Sequence, residues 1–409
     1  MRRRFTLGPA LVLLVSCAPA GAQPDPLAQI QAVLTARAEA MRTGDRGGFL
    51  APVDRDDPGF VRRQGLLFDG FQKLGLADYR LDLGTTWPEL TGRRERERYG
   101  EDVKVLHVEE RSRIRGYDEQ PSLEDLYLTF VRRGEEWRIT SDSDLGDLAV
   151  LSGRRLWEFD EIVTKESRHF RYVSHPDLAS SADDVLGAAE RALVQVSDRW
   201  PLSWKKRIMI LAPSTTEELE RMIQATFDLD VFVAFAASGV DRARDWDLVG
   251  HRIMLNWDNF AVSSASSREA ILVHELLHIA TREDAGPMIP IFVEEGVAEW
   301  VTGGQSSALL AGRIQGGSFD RRLPLDHEFT TGSDTDIITA YQESSTAIEY
   351  AADRFGGRAV ADMYDVLGEI RREPGTARFH LDRAMEAAFG IGLRRFERDW
   401  ARWATRTLA

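Results

Sequence analysis

Apolar positions at the start of the chain recur first at helical and then at alternating spacing. Leu27, Ile30, Val33, Leu34, Ala38 and Met41 predict a helix that Gly44-Asp45 ends. A second helix is predicted over Phe60–Leu74. Strands follow over Tyr79–Trp87, Val103–Ile114, Leu126–Val131 and Trp137–Thr140, with Arg133-Gly134 turning the last two into a hairpin. Helices followed by an antiparallel meander predict an α+β unit over residues 24–155.

From residue 156 to residue 409 the pattern changes. Phe170–Val173, Arg207–Leu211, Val231–Ala236 and Arg252–Asn256 read as short strands, and Ser181–Trp200 and Ser214–Phe227 as helices between them. Their alternation predicts a mixed sheet covered by helices, followed by a helical C-terminal half. The apolar spacing of Phe389, Phe396 and Trp400 predicts core. The pattern after Trp157 also predicts that this second unit has a core of its own and folds alone.

The chain has 409 residues, enough for two or three domains at about 150 residues each. Its net charge of −14 makes it a poor polyanion binder, so no nucleic-acid partner is expected. Residues 1–23 read as an export signal: Arg2-Arg3-Arg4 is a basic start, and Leu7–Val15 a short apolar run. Leu14-Val15-Ser16-Cys17 resembles a bacterial lipobox, which would lipidate Cys17 and tie the protein to a membrane. Ala20-Gly21-Ala22 equally resembles an ordinary signal-peptidase site, and an uncleaved anchor is the third reading. All three place the body of the protein outside the cytoplasm. Cys17 is the only cysteine, so an intramolecular disulfide, a cysteine-based zinc ribbon and a thiol nucleophile in the body are all excluded.

The chemistry concentrates in His274-Glu275-Leu276-Leu277-His278, inside a helix predicted over Ser266–Ala280 with a capping box of Ser266 and Glu269. Residues four apart on a helix leave the same face, so both imidazoles can converge on one ion. Glu275 lies on the flank of that face, where it can take a proton from a metal-bound water. Two histidines need a third protein ligand. The segment Pro290-Ile291-Phe292-Val293-Glu294-Glu295-Gly296-Val297-Ala298-Glu299-Trp300 supplies carboxylates on a second helix, which Pro290 suits as a start.

These two segments resemble the gluzincins, zinc metallopeptidases with H-E-x-x-H and a downstream Glu-Gly-x-Ala, and specifically their peptidase-MA-like bacterial members. The resemblance covers about residues 160–409, closest over Ile253–Val301. It implies one zinc per chain on His274, His278 and Glu295, Glu275 as general base, and Glu299 orienting a ligand histidine. It also implies an oxyanion donor, Tyr341 first and Tyr350 or His327 next. Ala340–Ser344 would then start the helix after the metal site, and Arg252–Asn256 would be the edge strand along which substrate lies. A Gly-x-Met-Glu-Asn segment, which aminopeptidases use to hold a free amino terminus, is absent. The 24–155 unit resembles the nuclear transport factor 2-like fold, a cone of curved sheet around helices. The expectation is an exported zinc metallopeptidase acting on peptides or proteins. The alternatives are a non-catalytic zinc-containing binding protein, or small-ligand or partner binding by the N-terminal unit. His107, His169, His175, His251 and His380 have no ligand spacing.

Overall fold

The computed structural model describes residues 25–84, 89–225, 229, 232–241, 247–282, 288–304, 307–370 and 375–409. The leader with Cys17, and Trp87, Phe227 and Val231 at the ends of predicted elements, lie outside the described residues. The class is α+β. α1 (Pro26–Thr43) starts on the Asp25 carboxylate and ends at Gly44, whose φ of 75° suits the missing Cβ. Then come α2 (Arg46–Leu50), α3 (Pro58–Leu74), β1 (Leu76–Leu83), α4 (Arg93–Tyr99), β2 (Val103–Ile114), β3 (Ser122–Arg133) and β4 (Glu136–Ser141). The four strands pair antiparallel, in the order of the predicted meander. The short α2 and α4 have too few apolar positions to show a period, and were not predicted.

The second half continues with β5 (Val163–Glu166), β6 (Phe170–Ser174), α5 (Ala182–Arg199), β7 (Ile208–Ala212), α6 (Thr216–Ile223), β8 (Ala234–Asp241) and β9 (Asp247–Leu255). Helices follow: α7 (Trp257–Val262), α8 (Ala265–Thr281), α9 (Ile291–Thr302), α10 (Ala308–Gly316), α11 (Asp334–Phe355), α12 (Gly357–Gly368), α13 (Ala377–Phe389) and α14 (Leu393–Leu408). Phe389, Phe396 and Trp400 are buried, as their spacing predicts. No described helix is long and apolar enough to cross a membrane.

The strands form one sheet in the order β1-β2-β3-β8-β9-β7-β6-β5, with β4 also on β3. β6, β7 and β9 run parallel, and β8 runs antiparallel to β9. β3 meets β8 only at Leu123–Val240. The outer side of β8 is therefore open near Ala236. This corrects one expectation: Arg252–Asn256 is not an edge, because β9 lies between β7 and β8, and β8 carries the free edge instead.

The buried strands have apolar residues on both faces, and alternate side chains enter different cores. Phe170, Tyr172, Ile208, Ile210, Ile253 and Leu255 pack under α5, α8, α9 and the C-terminal helices. Val173, Met209, Leu211 and the half-buried Met254 pack instead with α1, α3 and the antiparallel strands. Trp157 seals this second core against Phe71, ring centroids 5.1 Å apart. The two halves thus share one core, and the expectation of independent folding reverses. Burying a Val, Met or Leu side chain contributes ~1.5–3 kcal/mol, against a total of ~5–15 kcal/mol for a domain. A chain shortened to begin at residue 155 would expose several of them. It should be insoluble while residues 24–409 are soluble, as recovery in the soluble fraction would show.

Candidate metal centre

α8 starts at Ser264, whose hydroxyl accepts from the Ser267 amide at 3.1 Å. The predicted box of Ser266 and Glu269 does not form; Glu269 reaches Arg191 of α5 at 2.6 Å instead. Leu272, Val273, Leu276, Leu277, Ile279 and Ala280 bury in the core. Seating these apolar residues fixes the helix roll and brings His274 and His278 to α9. α9 begins at Ile291 with Pro290 as its cap. Its buried side, Phe292, Val293, Val297, Ala298 and Val301, leaves Glu295 and Glu299 one turn apart and facing the histidines.

His274, His278 and Glu295 each offer one ligand atom, all within 4.8 Å of one another. The two Nε2 atoms are 3.1 Å apart. Glu295 places Oε2 3.2 Å from His274 Nε2 and Oε1 3.6 Å from His278 Nε2. The donor set fits a zinc ion, because bonds of about 2.0–2.1 Å in a tetrahedron require ligand atoms about 3.3 Å apart. Glu294 points elsewhere, as two adjacent helical residues must. The second carboxylate, Glu299, sits with Oε1 3.2 Å from His274 Nδ1, which turns Nε2 toward the shared point.

Burial disfavours charge on His274, but Glu295 and Glu299 outweigh it and hold the imidazole well above its ordinary pKa. Burial likewise opposes ionisation of Glu295, yet His278 and His274 hold its carboxyl far below the usual range.

Glu275 is buried beside this triad, and its Oε2 accepts from the Ala236 amide of β8 at 2.7 Å. No protein-family model matches this chain, and no curated protein matches it. Tyr341 lies inside α11, which starts at Asp334 on the Ser333–Asp336 capping box and not at Ala340 as expected. Its phenol rests edge-on to Phe329, with centroids 5.2 Å apart. Burial raises its pKa first, and the charges of Glu295, Glu275 and Glu299 raise it further, so the hydroxyl stays protonated within reach of their field. The two runners-up have other surroundings. Tyr350 packs among Phe355, Phe396 and Trp403, and His327 is exposed on the Asp326–Phe329 turn.

The remaining histidines have local partners where the structure records one. His107 bonds Asp125, His169 bonds Glu190, His175 bonds the Glu161 carbonyl and His251 bonds Ser238. Two site residues were not foreseen. Ala236 could not be found from sequence, because its contribution is a backbone N–H on an edge that tertiary pairing creates. Gly296 did carry a signal, a glycine in a helix interior. A Cβ there would lie 2.7 Å from both the Ser344 carbonyl oxygen and Ile348 Cγ1 of α11. Only glycine lets α9 approach α11 so closely. Gly296→Ala should cost ~1–3 kcal/mol of stability by overpacking and weaken metal retention as Glu295 is displaced, which thermal melts and metal analysis together would measure.

Proposed function

We propose that the protein is an exported zinc metallopeptidase of gluzincin type. The observation that carries this reading is the convergence of His274, His278 and Glu295 on one point, with Glu275 on the flank between that point and the free edge of β8. In this reading the second half is a zincin-type domain, and the first a cone of the nuclear transport factor 2-like kind.

His274, His278 and Glu295 would hold the ion, and Glu299 would keep His274 in the tautomer that presents Nε2. When bound, zinc supplies a Lewis acid and lowers the pKa of a coordinated water toward ~7. Glu275 takes the proton from the attacking water and returns it to the leaving amine. The Ala236 amide holds that carboxylate in place. Tyr341 donates its phenolic proton as a hydrogen bond to the oxyanion. The open edge of β8 receives substrate backbone by strand addition.

The purified protein, analysed for metal and incubated with a peptide library, tests the reading. One zinc per chain with cleavage supports it, and zinc without cleavage moves it to a zinc-containing binding protein. Ligand binding by the N-terminal cone draws no support from its interior. There Arg155 pairs with Glu110, whose other oxygen accepts from Tyr79 at 2.8 Å, and the cavity that these three residues line is about 20 Å³. That is room for about one water.

Residence follows from Cys17. A lipidated protein partitions into the membrane fraction, since two or more acyl chains anchor stably. Cys17→Ser should then accumulate as uncleaved precursor or escape as soluble protein. Soluble wild-type protein beginning at Gln23 would instead establish free secretion.

A further inference from the structure

His274, His278 and Arg282 follow one another at intervals of four residues. Arg282 caps α8 with φ of −62° and ψ of −34°, so the helical path continues through it. Its side chain therefore leaves the face that carries the two ligand nitrogens, one turn or about 6 Å beyond His278. The guanidinium donates to the Ala236 carbonyl oxygen at 2.8 Å. The N–H of the same residue donates to Glu275. Both polar groups that Ala236 presents on the open edge of β8 are thus held by side chains of α8.

Arg282 is half-buried and offers five N–H donors, of which this bond uses one. No carboxylate among the described residues forms an ion pair with it. Glu294 of α9 lies within range of its charge, but among the described residues it forms no hydrogen bond or ion pair with the guanidinium. On the other side His251 is neutral. Burial first, then the charges of Arg282, Arg252 and Lys205, lower its pKa to about 4, and its Nδ1 is 2.8 Å from Ser238 Oγ. The free edge beside the triad is therefore flanked by a cation that has no ion-pair partner among the described residues. A planar guanidinium fork matches a carboxylate in two parallel hydrogen bonds.

We propose that Arg282 receives a carboxylate of the substrate beside the metal centre, from an acidic side chain or a free C-terminus near the scissile bond. This rests on the peptidase reading above. On docking, the guanidinium exchanges its bond to Ala236 for the carboxylate, and the freed carbonyl then accepts from the substrate backbone. An anionic group is thereby both the recognised feature and the release of the edge. A mere tie between α8 and β8 would hold the two elements together but would not discriminate among peptides.

The test uses the zinc-loaded Glu275→Gln protein, which binds without turnover, and matched peptides. One pair carries Asp or Glu against Asn or Gln, and the other a free against an amidated C-terminus. Calorimetry gives Kd, and the wild type gives kcat/KM on the same set. The carboxylate member of one pair should be favoured at least tenfold, as a charged hydrogen bond provides, and the favoured pair identifies the source. Arg282→Gln should abolish the preference, Arg282→Lys should retain part of it, and Arg282→Glu should turn it toward lysine peptides. Circular dichroism and zinc content report whether each variant is folded. Equal Kd values in both pairs, or a preference that survives Arg282→Gln, would overturn the assignment. Charge-dependent binding without wild-type hydrolysis would leave Arg282 in its role and remove the peptidase. Hydrolysis without charge preference would do the reverse.

Discussion

Glu275→Gln should give a folded, zinc-loaded protein whose peptide hydrolysis is at least two orders of magnitude below wild type. Glutamine keeps the length and shape of the side chain. Its amide oxygen can still accept from Ala236, the bond that ties α8 to the edge strand at 2.7 Å. The histidines and Glu295 are untouched, so metal content should remain near wild type. What is lost is the ability to accept a proton from water, and general-base assistance contributes ~10²–10⁴ in rate. The measurement is kcat/KM on any peptide the wild type cleaves, with zinc content determined on the same sample. Equal hydrolysis by both proteins would assign the activity to other residues or to a contaminant.

The second large effect is on metal retention. His274→Ala, His278→Ala and Glu295→Gln should each lose most of the zinc, because each removes one of three convergent ligand atoms. Glu294→Gln should change retention little, since the structure gives Glu294 no atom in that cluster. The opposite ranking of the two glutamates would show that the ligand is one residue earlier. Melting temperature gives an independent readout. Zinc at a hundredfold excess over its Kd stabilises by ~2.7 kcal/mol, a gain the ligand variants should lack.

Protons follow the metal with a definite sign. In the metal-free protein Glu295 and Glu299 raise the His274 pKa above its unfolded value of about 6.5. This contributes stability that is full below that value and disappears as pH rises through the folded pKa. Zinc requires the neutral ring, so its affinity should rise with pH, and uptake near neutrality should release protons. Calorimetry in buffers of different ionisation enthalpy would count them. Uptake with no proton release would contradict the raised pKa.

Much of the local structure was legible in the sequence. The strand Val103–Ile114 was placed residue for residue, and the helix carrying both histidines ends within one residue of its predicted bounds at either side. Apolar period and end residues determine such elements because the forces involved act over a single turn or pleat. The i, i+4 spacing of His274 and His278 likewise required them to share a face, whatever surrounded the helix.

Four features were decided only by tertiary structure. The cap of α8 fell to Ser264 because Glu269 found Arg191 on another helix, a partner that sequence spacing cannot reveal. β9 was apolar enough to be a strand, but whether a strand is central or edge depends on which neighbours pair with it. Here β8 took the outside and left Ala236 open to Glu275 and Arg282. The two halves looked separable because each has its own periodicity, yet the faces of β6, β7 and β9 opposite α8 are apolar and can be buried only by the first half. Finally, the sequence determined that Glu294 and Glu295 point in different directions. Which of them meets the histidines was decided by the close seating of Gly296 on α11, a contact between helices some fifty residues apart along the chain.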